Sequence, residues 1–78
     1  MKLIRKPSVL NHTAQSNSGL YVDIDDGLFT KPVKIGLRAV AWPEHEVQAV
    51  IAARIAGRSE IEIRQLVVDL HAKRKEAA

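Results

Sequence analysis

Phe29-Thr30-Lys31-Pro32-Val33-Lys34-Ile35-Gly36-Leu37-Arg38-Ala39-Val40-Ala41-Trp42 is the stretch that decides the fold. Val33 and Ile35 alternate with Lys34, a glycine follows, and a second apolar run closes on Trp42, which is the pattern of a β-hairpin. Alternation sends Val33 and Ile35 to one face and Lys34 to the other, and Gly36 is expected to supply a turn conformation that branched side chains resist. Lys31, Lys34 and Arg38 give this hairpin a cationic border.

Upstream of it, residues 2–5, Lys-Leu-Ile-Arg, read as a short strand. Pro7 then stands where a first helical turn tolerates its missing N–H, and Val9 and Leu10 would face inward. The polar run Gln15-Ser16-Asn17-Ser18 ends this first helix in a turn. Ser16 is the natural N-cap of a second helix reaching about Asp26 and closed by Gly27. Leu20, Ile24 and Leu28 recur every fourth residue and define its buried face. Two short helices joined by a tight turn form a helix-turn-helix.

Downstream, Pro43 opens a third helix, with Glu44 and Glu46 suiting the positive end of its dipole. Val47, Val50, Ile51 and Ile55 make its inward stripe, and Gly57 stops it. Ser59-Glu60-Ile61-Glu62 is a capping box that starts a fourth helix. Ile63, Leu66, Val67 and Leu70 recur at helical spacing there, either completing the core or pairing two chains. Glu60/Arg64 and Asp69/Lys73 are acid-first pairs that favour the helix. The fold class expected is mainly α with a small β-hairpin, a winged helix-turn-helix over residues 1–58 followed by a C-terminal helix in 59–78.

Composition narrows the function. Seventy-eight residues fit one domain with no room for a large substrate cleft. The absence of cysteine excludes a disulfide framework, a thiol nucleophile and a thiolate zinc site. His12, His45 and His71 lack ligand spacing, so neither a metal nor a cofactor is expected, and the three read as surface residues. No nucleophile is arranged with a base, so the chain is not read as an enzyme. No run approaches the length of a membrane span and no signal region opens the chain, which predicts a cytoplasmic protein.

Charge is unevenly distributed. Residues 1–40 carry six bases against three acids, whereas residues 41–78 carry six of each, so the whole formal excess of +3 lies in the first part. A helix in the major groove with a basic hairpin on neighbouring phosphates would use that excess on double-stranded DNA. Ser16, Asn17, Ser18 and Tyr21 are then the candidates for contacts from the second helix. Lys31, Lys34 and Arg38 are the candidates for phosphate contacts from the wing, and Lys6 is a further one. Read without that partner, the wing bases are solvated edge charges that discourage strand pairing, Tyr21 and Trp42 are core anchors, and Ser16 is only a cap.

Leu3-Ile4-Arg5, Val9-Leu10, Ser16 to Tyr21, Asp26-Gly27, and above all the block from Phe29 to Gly36 with Arg38 to Trp42, resemble the AlpA-type prophage regulators. These are small winged helix-turn-helix proteins related to phage excisionases and MerR-type DNA-binding domains. The resemblance runs from about Leu3 to Arg58 and implies a DNA-binding transcriptional regulator or recombination directionality factor that needs no cofactor. In that family the second helix usually reads Ser-Arg-Ser-Thr-aliphatic-Tyr-Arg. Here Asn17, Gly19 and Val22 replace two arginines and a threonine, and Asp23, Asp25 and Asp26 follow. That departure keeps a second class of function open, a protein-interaction module on the same scaffold. Its partner would be another protein, contacted through the acidic second helix or the stripe of the fourth, or a second copy contacted through Ile63, Leu66, Val67 and Leu70.

Overall fold

A computed structural model describes residues 2–77; Met1 and Ala78, the ends of the two expected segments, lie outside the described residues. The chain runs β1 (Leu3–Ile4), α1 (Lys6–Thr13), α2 (Asn17–Asp25), β2 (Val33–Lys34), β3 (Val40–Pro43), α3 (Glu44–Ile55) and α4 (Glu60–Lys73), closing in a 3-10 turn over Arg74–Ala77. This is a mostly helical molecule with one small antiparallel sheet, compatible with a winged helix-turn-helix.

Local chemistry sets the helix ends. Arg5 is the extended N-cap of α1, and Pro7 sits in the first turn. Ala14 ends α1 at φ 55, the left-handed conformation that an L side chain adopts only at a cost, with its N–H bonded to the Leu10 carbonyl. Ser16 caps α2 by accepting from the Gly19 N–H at 3.1 Å. Gly27 (φ 77) and Gly57 (φ 75) take the left-handed positions after α2 and α3. At α4, Ser59 and Glu62 exchange both bonds of the capping box. The Ser59 amide, and then its hydroxyl, hold the Glu62 carboxyl below its usual range.

The sheet is larger than the expected two-stranded wing. Its order is β1-β3-β2, with Leu3 opposite Pro43, Ile4 opposite Trp42, Val33 opposite Ala41 and Lys34 opposite Val40. The reason is that β3 has two edges: β2 pairs with one as the hairpin, and the N-terminal strand closes the other, supported by the Glu44 N–H donating to the Lys2 carbonyl at 2.8 Å. Gly36 is not held at positive φ, and a Cβ there would meet only Ala39 at ordinary contact distance, so the loop does not demand glycine.

One core joins the elements. Ile4, Val9, Leu20, Phe29, Trp42, Val47 and Val50 are buried together with Ile63, Val67 and Leu70 from α4, and Leu66 packs against them. The apolar stripe of α4 is thus used inside the monomer, and the helix shows solvent Ile61 and Val68 instead. Ile55, expected to face inward, is 82% exposed: it is the last residue of α3, and in that turn Ala53 packs against the core instead. The acid-first pairs of α4 are also replaced. Arg64 turns to the Asp26 carbonyl at 2.9 Å and Asp69 accepts from Gln65 at 2.9 Å, partners better placed than an exposed i, i+4 ion pair worth only tenths of a kcal/mol.

Candidate nucleic-acid interface

The antiparallel register sorts the cationic side chains by the end of the sheet at which they stand. β3 enters from the hairpin loop at Val40, and β1 leaves the sheet beside that same end, so Arg5 and Lys6 emerge where Lys34 and Arg38 stand. With β3 between them, β1 and β2 lie about 10 Å apart. Arg5, Lys34 and Arg38 are exposed, and among the described residues none of Arg5, Lys6, Lys34 and Arg38 has a carboxylate partner. Lys6 places its ammonium 5.6 Å from the centre of the half-buried Tyr21 ring, a cation–π contact that ties the start of α1 to α2. Tyr21 is therefore neither a core anchor nor free.

At the N-terminus of α2, Asn17 and Ser18 are exposed and Ser16 is exposed while acting as cap. The structure thus brings together Lys6 and Tyr21 by direct contact, and Arg5, Lys6, Lys34 and Arg38 by register. Lys31 stands apart. It shares a groove with Ile24, Asp25, Arg64, Val68 and His71, at the C-terminal end of α2. That is the end of α2 opposite Ser16, about 13 Å away along the helix. The exposed Lys31 side chain projects from a backbone that is held on both sides: its N–H donates to His71 Nε2 at 3.0 Å and its carbonyl accepts from Arg74 Nη2 at 2.6 Å.

The acids are not equivalent either. Asp23 accepts from Arg54 at 3.0 Å and from Gln15 at 2.5 Å, so its charge is neutralised within the fold rather than presented to a partner. Asp25 and Asp26 remain exposed. Glu46, which the sequence assigns to the dipole of α3, is fully buried and holds the Arg74 guanidinium through both oxygens, at 2.8 Å and 2.5 Å. Such fork-to-fork pairing is the strong form of the interaction.

Among the histidines, His45 is exposed and His12 donates from Nδ1 to the Ser8 carbonyl at 2.7 Å within its own helix. His71 departs from the surface reading: it is half-buried, and burial, then the Arg74 charge, lower its pKa from 6.5. Among the described residues no group of acids and histidines is arranged to hold a metal, and no helix is long and apolar enough to cross a membrane.

Sequence reasoning missed two sets of residues. Arg5 carried a signal, an unneutralised base next to Lys6, but its place beside the hairpin tip depends on the pairing of β1 with β3. Arg54, Arg64 and Arg74 carried none, since each acts on a backbone carbonyl 26 to 43 positions away.

Comparison with known proteins adds one family and one relative. The family model described as prophage CP4-57 regulatory protein (AlpA) matches residues 2–55. A protein of Enterobacteria phage P4, described as uncharacterized protein ORF88, is 40% identical over 57 residues, which cover 73% of this chain and 65% of that protein. The chain thus spans just under two thirds of the relative's length. No solved structure matches it.

Proposed function

The chain belongs to the AlpA family of prophage regulatory proteins, and from that premise we propose that it is a DNA-binding transcriptional regulator acting in the cytoplasm. The N-terminus of α2 enters the major groove, with Ser16, Asn17, Ser18 and Tyr21 facing base edges and nearby phosphates. Lys34 and Arg38 of the wing neutralise phosphates, joined by Lys6 and Arg5 at the same end of the sheet and by Lys31 at the other. The observation that carries this reading is the set of bases on the β1–α1 junction and the hairpin that, among the described residues, lack carboxylate partners, while Asp23, Glu44, Glu46 and Glu62 are each paired with another base. Such bases attract a polyanion and release its counterions.

The reading is tested on a short duplex titrated over a range of salt. With these five bases on phosphates, log affinity falls with log salt at a slope of about −4 to −5. Lys34→Ala and Arg38→Ala weaken binding to every sequence, whereas Asn17→Ala changes preference among sequences. Absence of salt-sensitive binding at low ionic strength rejects the reading.

One observation favours a second reading, a protein-interaction module. Val22 is 56% exposed on α2 beside the exposed Asp25 and Asp26, an acidic and apolar surface unsuited to phosphates. Val22→Arg separates the two: it strengthens duplex binding if α2 faces DNA, and abolishes association if α2 faces a protein.

A further inference from the structure

The connector from Asp26 to Pro32 joins α2 to the wing without a strand partner, so its backbone polar groups must be satisfied by other means. Side chains satisfy five of them. Arg64 donates to the Asp26 carbonyl at 2.9 Å, Arg54 to the Leu28 carbonyl at 3.2 Å and the Trp42 indole to the Thr30 carbonyl at 2.9 Å. His71 then accepts from the Lys31 N–H and Arg74 donates to the Lys31 carbonyl. Three of these five side chains, Arg64, His71 and Arg74, lie beyond residue 55, where the family match ends.

We propose that α4 and its closing turn are a strut that sets the position of the wing relative to α2, with Arg64 holding the α2 end and His71 and Arg74 holding the wing end. The proposal rests on the DNA-binding reading above and assigns these three as positioning residues that touch no nucleic acid. The geometry makes the hold directional. Both Glu46 oxygens fix the plane of the Arg74 guanidinium, so its remaining reach toward Lys31 has one orientation, which a lysine would not reproduce. Pro32 follows at once, and its ring fixes φ, so a fixed Lys31 peptide fixes the direction in which β2 departs. β2 itself is two residues long and cannot set that direction alone.

The test uses the full chain with His71→Ala, which removes the acceptor, and His71→Gln, which keeps one. Glu46→Gln combined with Arg74→Gln removes the second hold without leaving a buried charge. Two readouts are taken: amide exchange at Ile35, whose N–H bonds the Ala39 carbonyl within the wing, and the salt slope on a mixed-sequence duplex. His71→Ala and the double variant are expected to speed exchange at Ile35 and to make the slope shallower by about one to two, as loss of the two wing bases would. His71→Gln restores both. In a Lys34→Ala, Arg38→Ala background, His71→Ala leaves the slope unchanged, a non-additivity that a loss of stability alone does not produce. Folded variants with the exchange and slope of the parent overturn the strut. If the parent chain itself lacks salt-sensitive binding, the DNA reading has failed, and unchanged exchange at Ile35 in His71→Ala then overturns the strut separately.

Discussion

Residues 1–40 and residues 41–78 hold equal numbers of bases, but the arginines of the second part are used differently from the bases of the first. In the second half Arg54, Arg58, Arg64 and Arg74 each hold a protein oxygen, and two of the four reach carbonyls of the connector without leaving α4 or its closing turn. In the first half, among the described residues, only Lys2 meets a carboxylate, that of Glu44 at 3.6 Å. The inward set, Arg54, Arg64 and Arg74, is all arginine, whose planar fork can serve a carboxylate and a carbonyl at once, while Arg58 pairs only with Glu62 at the surface. The outward set is mostly lysine. Counting charges by segment therefore understates the contrast, because Arg54 of the second half also neutralises Asp23 of the first.

The largest expected effect attacks the inward set. Arg74→Ala leaves the fully buried Glu46 without its partner and should cost about 3–5 kcal/mol, read by urea denaturation. Replacing both by glutamine should recover much of that loss. A cost near that of a surface substitution would erase the distinction between the halves. Arg54→Ala, which frees the Leu28 carbonyl and Asp23, should cost about 1–3 kcal/mol, measured the same way.

Acidification gives a smaller effect. Burial, then the charges of Arg74 and Lys31, hold the folded pKa of His71 below 6.5, opposed by Glu46. The unfolded chain therefore takes up the proton first. The contribution of His71 is full above pH 6.5 and declines as pH falls from there toward the lowered folded value. Protonation also removes the acceptor for the Lys31 N–H. Denaturation midpoints measured through that window should fall with pH in the parent chain and flatten in His71→Gln. The smallest stability effect belongs to the outward set: Lys34→Ala and Arg38→Ala should each change stability by less than about 0.5 kcal/mol in thermal melts. A large destabilisation by either would show that the wing bases serve the fold.

What could be read in the sequence was local. Pro7, the Ser16 cap, Gly27, Gly57 and the Ser59/Glu62 box act within one turn of the chain, and the apolar stripes of α2 and α4 follow helical spacing. The hairpin residues Val33 and Lys34 also paired with Ala41 and Val40, the antiparallel arrangement that the alternation implies. What escaped was set by distant partners. β1 finds its edge about forty residues away, Glu46 finds Arg74 across 28, and Arg54 finds the Leu28 carbonyl across 26. Lys31 illustrates the limit: its charge is visible in the sequence, but the hold on its peptide is not. Ile55 failed because the periodicity of a stripe does not say which residue of the last helical turn still meets the core, and there Ala53 does.

The outer strands of the sheet have a last consequence. β1 and β2 are two residues each, and β2 ends in a charged lysine. A passing chain that tried to extend the ladder would find few open donors and acceptors before meeting a helix or a solvated ammonium group. Crowding many copies together should therefore not seed fibres through this element, and the molecule can carry a sheet without the aggregation hazard that longer open borders bring.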